Sequence, residues 1–506
     1  MASNHSMLTR LCASAVSAVR SSRRVGALAR LTRPWHAVIA VVVIASTLCA
    51  AEPPRPNIVL AMADDQGWGD MAYNGHPVLQ TPVFDEMART GLRLDRFYAA
   101  APVCSPTRFS VMTGRTPNRS GVFSWGHAIR PQEITVAEAL RSAGYATGHF
   151  GKWHLGSTLK GQPTSPGANG FDRWLSAPNF FEVHPWLSDE GTAKQFDGES
   201  SQIVVDAALE FMRKTIDARR PFLTVVWFGS PHAPHVGTEA DRALYPDAAP
   251  KQRNFLAEIT AMDRAMGRLR DGLRSLGVAD NTLLWYCSDN GAIPEGSTGG
   301  LRGKKGQIYE GGLRVPCLIE WPNRIRTPRQ SDLPCGTVDI YPTLVELTGA
   351  KVDHQPPVDG VSLVGLFDGT LTTRSKPLGF WEAGVPGISS PSDRILSALA
   401  KKQAANEDLT GDAAEGAPPA KLEWTDGPQQ FAGHAAWIDG DWKLHRIQPK
   451  RANEPRWELY NLRDDFAEQQ NVLDSQADRA SRMQAALEAW LHSVTDSLRG
   501  KDYPPE

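Results

Sequence analysis

The chain has 506 residues, of which 41% are hydrophobic and 22% are charged, and its formal net charge at pH 7 is −2. This composition is typical of a folded globular protein and excludes a chain too polar to bury a core. The near-neutral charge also excludes a protein that wraps nucleic acid through an overall basic field, so an anionic ligand would need local cations.

The N-terminal segment has the composition of an export signal. Residues 1–50 contain six arginines and no acidic residue, and an apolar run from Ala37 to Cys49 ends in small residues. The run is too short to span a bilayer comfortably and is typical of the apolar region of a signal peptide. We therefore predict a signal peptide over residues 1–51 and an exported protein, periplasmic or secreted. A single membrane anchor is the alternative.

The first predicted strand ends in two adjacent carboxylates. Residues 57–63 are apolar after Asn57, which is typical of a strand buried on both faces. Asp64 and Asp65 follow directly, and adjacent carboxylates repel each other unless a cation is present. A hard divalent ion such as calcium prefers oxygen ligands of this kind. The pair predicts a cation site, with a solvated acidic turn as the alternative.

The next segment places a thiol beside a predicted helix start. Cys104 is followed by Pro106, which suits the first position of a helix, and Ser105 suits its cap. Free N–H groups at a helix start favour an anion, and Arg108 adds a fixed charge that suits an oxyanion. The spacing brings a nucleophile, an anion-binding backbone and a cation together. A buried or disulfide-bonded cysteine is the alternative.

Three further predicted strands run into polar side chains. They are residues 144–150 before Lys152 and His154, residues 222–228 before His232 and His235, and residues 282–287 before Asp289 and Asn290. Predicted helices at about 82–90, 135–142, 201–215 and 254–276 separate the strands. This alternation predicts an α/β fold: an α/β/α sandwich with a large mixed, mostly parallel sheet. Because ligands bind beyond the carboxyl ends of such strands, we expect these side chains to form one site.

A glycine-rich, basic loop follows over residues 299–316. Its glycines allow the backbone to approach a ligand closely, and Lys305 is the side chain that would point into it. A flexible basic surface loop is the alternative. Residues 338–348 then have the pattern of a helix closed by Gly349.

The pattern changes near residue 375, where a smaller antiparallel α+β domain begins. Its predicted elements are a strand at 377–381, an insertion at about 389–430 with a helix at 394–406 and a mobile stretch at 407–421, a hairpin of 435–439 and 442–447, a strand at 457–462 and a helix at 475–497. We thus predict a catalytic domain over 52–375 and a C-terminal domain over 376–506. His434 is a candidate substrate contact, with packing at the domain boundary as the alternative.

Four cysteines follow the predicted signal, which are too few for a disulfide framework in a large exported chain. If Cys104 is chemically modified, three remain, and the sequence leaves the pairing of Cys287, Cys317 and Cys335 open.

Together these motifs resemble those of the formylglycine-dependent (type I) sulfatases, which belong to the alkaline-phosphatase-like superfamily. The matching motifs stand in family order: the pair Asp64-Asp65, C-x-P-x-R from Cys104, G-K-W-H-L-G from Gly151, P-H-x-P-H from Pro231, S-D-N-G from Ser288 and K-x(4)-E-G-G from Lys305. One departure is Phe150, where the family usually has a smaller or β-branched residue. We expect local repacking there without loss of chemistry.

The resemblance implies a calcium-dependent sulfate ester hydrolase in which Cys104 is oxidised to formylglycine by a formylglycine-generating enzyme. The implied calcium ligands are Asp64, Asp65, the modified Cys104, Asp289 and Asn290. The implied catalytic residues are Arg108 and Lys152, which hold the formylglycine hydrate, His154, which deprotonates its second hydroxyl, His232, which protonates the departing oxygen, and Lys305, which neutralises sulfate charge. His235 is a candidate substrate contact, with a structural hydrogen bond as the alternative.

The expected substrate is a sulfated carbohydrate, with a small aryl sulfate as the alternative. Two other functions stay open: a phosphodiester or phosphonate monoester hydrolase of the same superfamily, and a sulfated-glycan-binding protein with unmodified Cys104. A ligand set for one metal ion favours a sulfatase over a phosphodiester or phosphonate monoester hydrolase. A sulfated-glycan-binding protein would have no use for a complete set of catalytic side chains, which argues against that function.

Overall fold

The computed structural model describes residues 55–407, 409 and 430–503. The predicted signal peptide and nearly all of the stretch predicted to be mobile therefore lie outside the described residues. None of the helices in the described ranges is long and apolar enough to cross a membrane.

The strands, in chain order, are β1 Asn57–Ala63, β2 Leu92–Leu94, β3 Phe97–Tyr98, β4 Ala146–Lys152, β5 Arg173–Ala177, β6 Trp186–Asp189, β7 Thr192–Gln195, β8 Phe222–Trp227, β9 Thr282–Ser288, β10 Arg314–Val315, β11 Cys317–Glu320, β12 Arg329–Ser331, β13 Cys335–Gly336, β14 Leu378–Glu382, β15 Gly433–Asp439, β16 Trp442–Gln448 and β17 Arg456–Asn461. The α-helices are α1 Pro82–Thr90, α2 Cys104–Thr113, α3 Val136–Ser142, α4 Ser200–Asp217, α5 Glu239–Arg242, α6 Pro250–Ser275, α7 Glu310–Leu313, α8 Ile340–Thr348, α9 Val364–Phe367, α10 Ser392–Ala404 and α11 Ala477–Leu498.

Ten strands form the main sheet, in the order β12-β2-β11-β9-β1-β8-β4-β5-β6-β7. Its centre is parallel, because β1 pairs in parallel with β8 and β9, and β4 with β5 and β8. The edges are antiparallel where β11 pairs with β9 and where β5, β6 and β7 meet. The predicted large mixed, mostly parallel sheet is confirmed.

Helices cover both faces of this sheet, which confirms the predicted sandwich. Alternate residues of β1 face opposite sides, as the strand period of two requires: Ile58 and Leu60 join one hydrophobic core, and Val59 and Ala61 join the other. The first core is closed by α2, α3 and α8, and the second by α1, α4 and α6. The strand is apolar throughout because both of its faces are buried.

A second sheet has the antiparallel order β14-β15-β16-β17. The predicted hairpin is β15 and β16, with Asp439 paired to Trp442 across Gly440, whose φ is 59°. Helix α11 packs on this sheet through Met483, Leu487, Leu491 and Val494. The strands and helix thus agree with those predicted, while the domain division at residue 375 stays a prediction.

Helix α2 begins at Cys104, so the prediction that Pro106 is its first residue and Ser105 its cap was wrong. The capping position is Val103, which is extended at φ −150°. Pro106 is therefore the third residue of the helix, where proline is tolerated because no N–H of the first turn has an intrahelical acceptor. The Ser105 hydroxyl instead accepts a hydrogen bond from the Gly126 N–H at 2.9 Å.

Candidate active site

The predicted carboxylates meet at the carboxyl ends of β1 and β9. The register pairs Ala63 with Ser288, so Asp64 and Asp289 follow at the same level of the sheet. The Asp65 N–H donates to Asp289 Oδ1 at 3.1 Å. All three carboxylates are buried, so they do not form a solvated acidic turn.

Each buried carboxylate has a cationic partner from another predicted motif. Lys152 Nζ lies 2.6 Å from Asp64 Oδ2, and Arg108 Nη2 lies 2.6 Å from Asp289 Oδ2. Lys305 Nζ lies 2.6 Å from Asp65 Oδ1. Arg108 of α2, Lys152 at the end of β4 and Lys305 of the glycine-rich loop therefore all contact this carboxylate cluster.

The electrostatics of the three carboxylates differ. Burial raises the pKa of Asp65, but Lys305, His232 and Lys152 outweigh burial and hold it well below its ordinary value. Burial and the nearby Asp64 raise the pKa of Asp289 to about 6 in spite of Arg108. The negative charge of Asp289 is therefore incompletely compensated for its burial, and a bound cation would stabilise the ionised form.

The donor set at this point fits a hard metal ion. Asp64 Oδ1 and Asn290 Oδ1 are buried and have no hydrogen-bond partner. The Asn290 amide group donates to Asp65 Oδ1 at 2.8 Å, which leaves its oxygen as a free ligand. One ligand atom each of Asp64, Asp289 and Cys104 lie within 4.8 Å of one another. Unpaired buried oxygens are costly, and calcium prefers such ligands.

Cys104 lies among these charges at the first position of α2, where it is buried. Burial raises the pKa of its thiol, although Lys152 and Lys305 act in the opposite direction. The side chain is therefore a protonated thiol at neutral pH, and this is the poorer nucleophile of the two protonation states.

Two of the predicted histidines lie beside the charged cluster. Both ring nitrogens of buried His154 lack hydrogen-bond partners, and burial, followed by Lys152, holds its pKa well below the ordinary value. His232 Nε2 lies 3.7 Å from Asp65 Oδ2. Burial, with Lys152 and Lys305, lowers the pKa of His232 to about 3, although Asp65 opposes this. Both rings are neutral in this state and accept protons.

Other side chains near the site were missed by the sequence reasoning. Phe180 stacks on His232 with ring centroids 4.6 Å apart and an angle of 10° between the planes. Trp227 lies under the Arg108 guanidinium at 5.1 Å. No motif marks Phe180, whereas Trp227 belongs to a predicted buried strand.

Neither ring nitrogen of His235 has a hydrogen-bond partner in the described part of the chain, so both its substrate contact and its structural hydrogen bond stay predictions. Its ring is buried between Glu258, 3.6 Å from Nδ1, and Glu295, 3.9 Å from Nε2. Phe150 packs in the core beside Phe211, with ring centroids 5.8 Å apart, and local repacking relative to the family stays a prediction. Cys104, Cys287, Cys317 and Cys335 are all free and buried.

His434 lies in a buried network beneath the glycine-rich loop. Its Nε2 is 2.8 Å from His445 Nδ1, and His445 Nε2 is 2.7 Å from Glu468. Its ring also contacts Tyr309 edge-on at 5.0 Å. Burial, with His445 adding, lowers the pKa of His434 to about 2. These contacts favour the packing role, and substrate contact by His434 stays a prediction.

Lys443 of β16 is the cation of this network. It is fully buried and lies 2.9 Å from Glu310 and 3.0 Å from Glu468. Glu310, which Lys443 contacts, follows Lys305 by five residues in the same loop. The Lys305 N–H also donates to Ala292 O at 2.9 Å. The second sheet thereby supports the loop that carries Lys305.

Lys443→Met is expected to destabilise the protein by about 3–5 kcal/mol, because it removes the buried cation that lies between two buried carboxylates. Chemical denaturation of the variant measures this loss. The double variant Lys443→Met, Glu310→Gln removes one of those carboxylate charges and should recover part of the stability. Additive losses in the double variant would show that the two side chains are not coupled.

Comparison with known proteins identifies the family of this chain. The family model described as Sulfatase matches residues 56–350. N-acetylgalactosamine-6-sulfatase of Sus scrofa is 32% identical over 393 residues, covering 69% of this chain and 72% of its own. Steryl-sulfatase of Mus musculus is 29% identical over 446 residues, covering 67% of this chain and 70% of its own.

A solved structure shares the fold. The structure of Ps i-CgsB in complex with k-i-k-neocarrahexaose superimposes with a TM-score of 0.70 at 23% identity, covering 86% of this chain and 93% of that chain. The matched family region spans β1 to the helix α8 and includes Asp64, Asp65, Arg108, Lys152, Asp289 and Lys305. The chain belongs to the sulfatase family, whose named relatives are sulfuric ester hydrolases.

Proposed function

We propose that the protein is an exported, calcium-dependent sulfatase that releases sulfate from a sulfated carbohydrate and uses a formylglycine derived from Cys104. The observation that carries the proposal is the cluster in which Arg108, Lys152 and Lys305 surround buried carboxylates beside Cys104. With a metal ion on the carboxylates, these cations would bind an anion next to the reacting residue. Export rests on the composition of residues 1–51.

The buried thiol supports the need for modification. As a protonated thiol, Cys104 has neither the charge nor the second hydroxyl that stepwise sulfate transfer requires. A formylglycine hydrate supplies one hydroxyl that attacks sulfur and a second hydroxyl whose deprotonation re-forms the aldehyde and expels the sulfate. Maturation would therefore depend on a formylglycine-generating enzyme.

The metal ligands would be Asp64, Asp65, Asp289, Asn290 and the modified Cys104. Bound calcium would offset part of the negative charge of the carboxylates and of the sulfate. It would also leave Lys152 and Lys305 free to face the substrate instead of the carboxylates that they contact here. Arg108 and Lys152 would then orient the hydrate, and Lys305 would hold a sulfate oxygen.

The two neutral histidines suit opposite proton transfers. His154 has both nitrogens free and a strongly lowered pKa, so it can accept the proton of the second hydroxyl. His232 stands at the opening, where its side chain is 18% exposed and that of Lys305 is 22% exposed. A bound sulfate would raise the pKa of His232, which lets the ring carry a proton to the departing oxygen.

Sulfate release from defined esters tests this proposal. The mature protein is expected to hydrolyse 4-nitrophenyl sulfate at least about 100-fold more efficiently than 4-nitrophenyl phosphate, because its ligand set holds one metal ion. A preference for the phosphate or for a phosphonate monoester would favour the other hydrolase. Binding of sulfated glycans without turnover, with unmodified Cys104 in the mass spectrum, would favour the binding protein.

A further inference from the structure

One exposed indole stands out in the loop that follows α2. Residues 121–129 are buried with the exception of Trp125, whose side chain is 44% exposed. Leaving the largest apolar side chain of a buried loop in water is unfavourable. An exposed aromatic side chain on a rigid support is typical of a binding surface.

The backbone beside Trp125 is attached to the helix that carries Cys104. The N–H of Gly126 donates to Ser105 Oγ at 2.9 Å, and Ser105 adjoins Cys104. Gly126 has φ 78°, a conformation that most side chains disfavour. The position of the indole is therefore tied to the start of α2.

A second segment holds the indole from the other side. Gly387 lies so close that a Cβ there would be 2.1 Å from the ring of Trp125. The Ile388 N–H donates to the Trp125 carbonyl at 2.8 Å. The ring is thus packed against Gly387 and exposed elsewhere, which gives it a fixed orientation.

The same segment continues to the opening of the active site. Asn179 donates two hydrogen bonds to this segment. Its side-chain Nδ2 donates to Ser390 Oγ at 3.3 Å, and its backbone N–H donates to Ser392 Oγ at 3.0 Å. The next residue, Phe180, stacks on His232. A chain of contacts, which we call the rim, therefore links Trp125 through residues 387–392 and Phe180 to His232, the residue proposed to protonate the leaving group.

The geometry points to Trp125 as a stacking platform for a sugar ring of the leaving group. This inference deepens the proposed function and rests on it. The face of an indole carries negative potential, and the C–H bonds on one face of a pyranose carry the opposite polarity. The buried cations handle only the sulfate, so the aromatic rim is the part that contacts the alcohol.

The test compares two classes of ester in the full-length, modified enzyme. The substrates are 4-nitrophenyl sulfate and a panel of sulfated oligosaccharides that includes neocarrahexaose and oligosaccharides ending in N-acetylgalactosamine 6-sulfate. Trp125→Ala is expected to lower kcat/KM on the saccharide that the wild type desulfates best by about 10-fold more than on the aryl ester. The loss should appear mainly in KM, and Trp125→Phe should recover most of it.

Phe466→Ala is the matched control, because Phe466 is an aromatic side chain of similar exposure, 50%, in the loop after β17. It should leave the ratio between the two substrates unchanged. A desulfated product saccharide should also inhibit aryl sulfate turnover more weakly in Trp125→Ala than in the wild type. That readout measures sugar binding without chemistry.

Equal losses on both substrates would overturn the inference and show that Trp125 only packs the loop. Turnover of the aryl ester with no saccharide desulfated would also overturn it, while sulfate ester hydrolysis would stand. If the wild type released no sulfate from any ester although Cys104 is modified, the proposed function itself would fail.

Discussion

Cys104→Ala is expected to abolish sulfate release while the protein stays folded. Removing the reacting group from an enzyme with covalent catalysis commonly costs about 10⁴-fold or more in kcat. The loss of one buried sulfur should cost only about 1–2 kcal/mol of stability. Release of 4-nitrophenol measures the activity, and thermal unfolding measures the stability.

The matched control is Cys335→Ala, since Cys335 is an equally buried free cysteine in β13. It should show a similar small loss of stability with full turnover. Cys104→Ser should be nearly inactive unless the host oxidises serine. Activity of Cys104→Ala near that of the wild type would contradict a mechanism through formylglycine.

Removal of calcium has the second large expected effect. Chelation should lower kcat/KM by at least about 100-fold, because the metal supplies several kcal/mol of charge stabilisation. Added calcium should restore activity, and zinc should not, since the ligands are oxygens. Calcium should also raise the temperature of unfolding, as any ligand of the native state does. Restoration by zinc alone would contradict the ligand assignment.

A variant pair separates the metal site from general effects of a buried carboxylate. Asp289→Asn should weaken the rise in unfolding temperature with calcium. Asp263→Asn is the control, because Asp263 is buried and accepts hydrogen bonds from Val83 and Phe84 at the start of α1. It should lower stability and keep the full response to calcium. Equal responses in both variants would place the ion elsewhere.

Much of the site could be predicted from the sequence. A parallel strand buried on both faces appears as an apolar run, and its end is marked by the first polar residues. The ends of β1, β4, β8 and β9 are followed or marked in this way by Asp64, Lys152, His232 and Asp289, respectively. Because parallel strands present their carboxyl ends along one edge of a sheet, local patterns were enough to place these residues together.

Other features followed only from the tertiary structure. Which cation meets which carboxylate depends on three-dimensional distances, and Lys305 pairs with Asp65 across 240 residues. The support of the Lys305 loop by Lys443 and the rim that holds Trp125 depend on contacts between distant segments. The start of α2 was misplaced because Ser105 bonds to Gly126 instead of capping the helix.

The physical reason for this division is the range of the interactions. The sequence by itself determined the strands, the main helices and the chemical types at the strand ends, since burial and periodicity act along the chain. Only the tertiary structure decided the ion pairs, the protonation of Cys104 and the environment of His434. Those properties depend on desolvation and on charges that folding brings together. Neither effect can be predicted from a local sequence pattern.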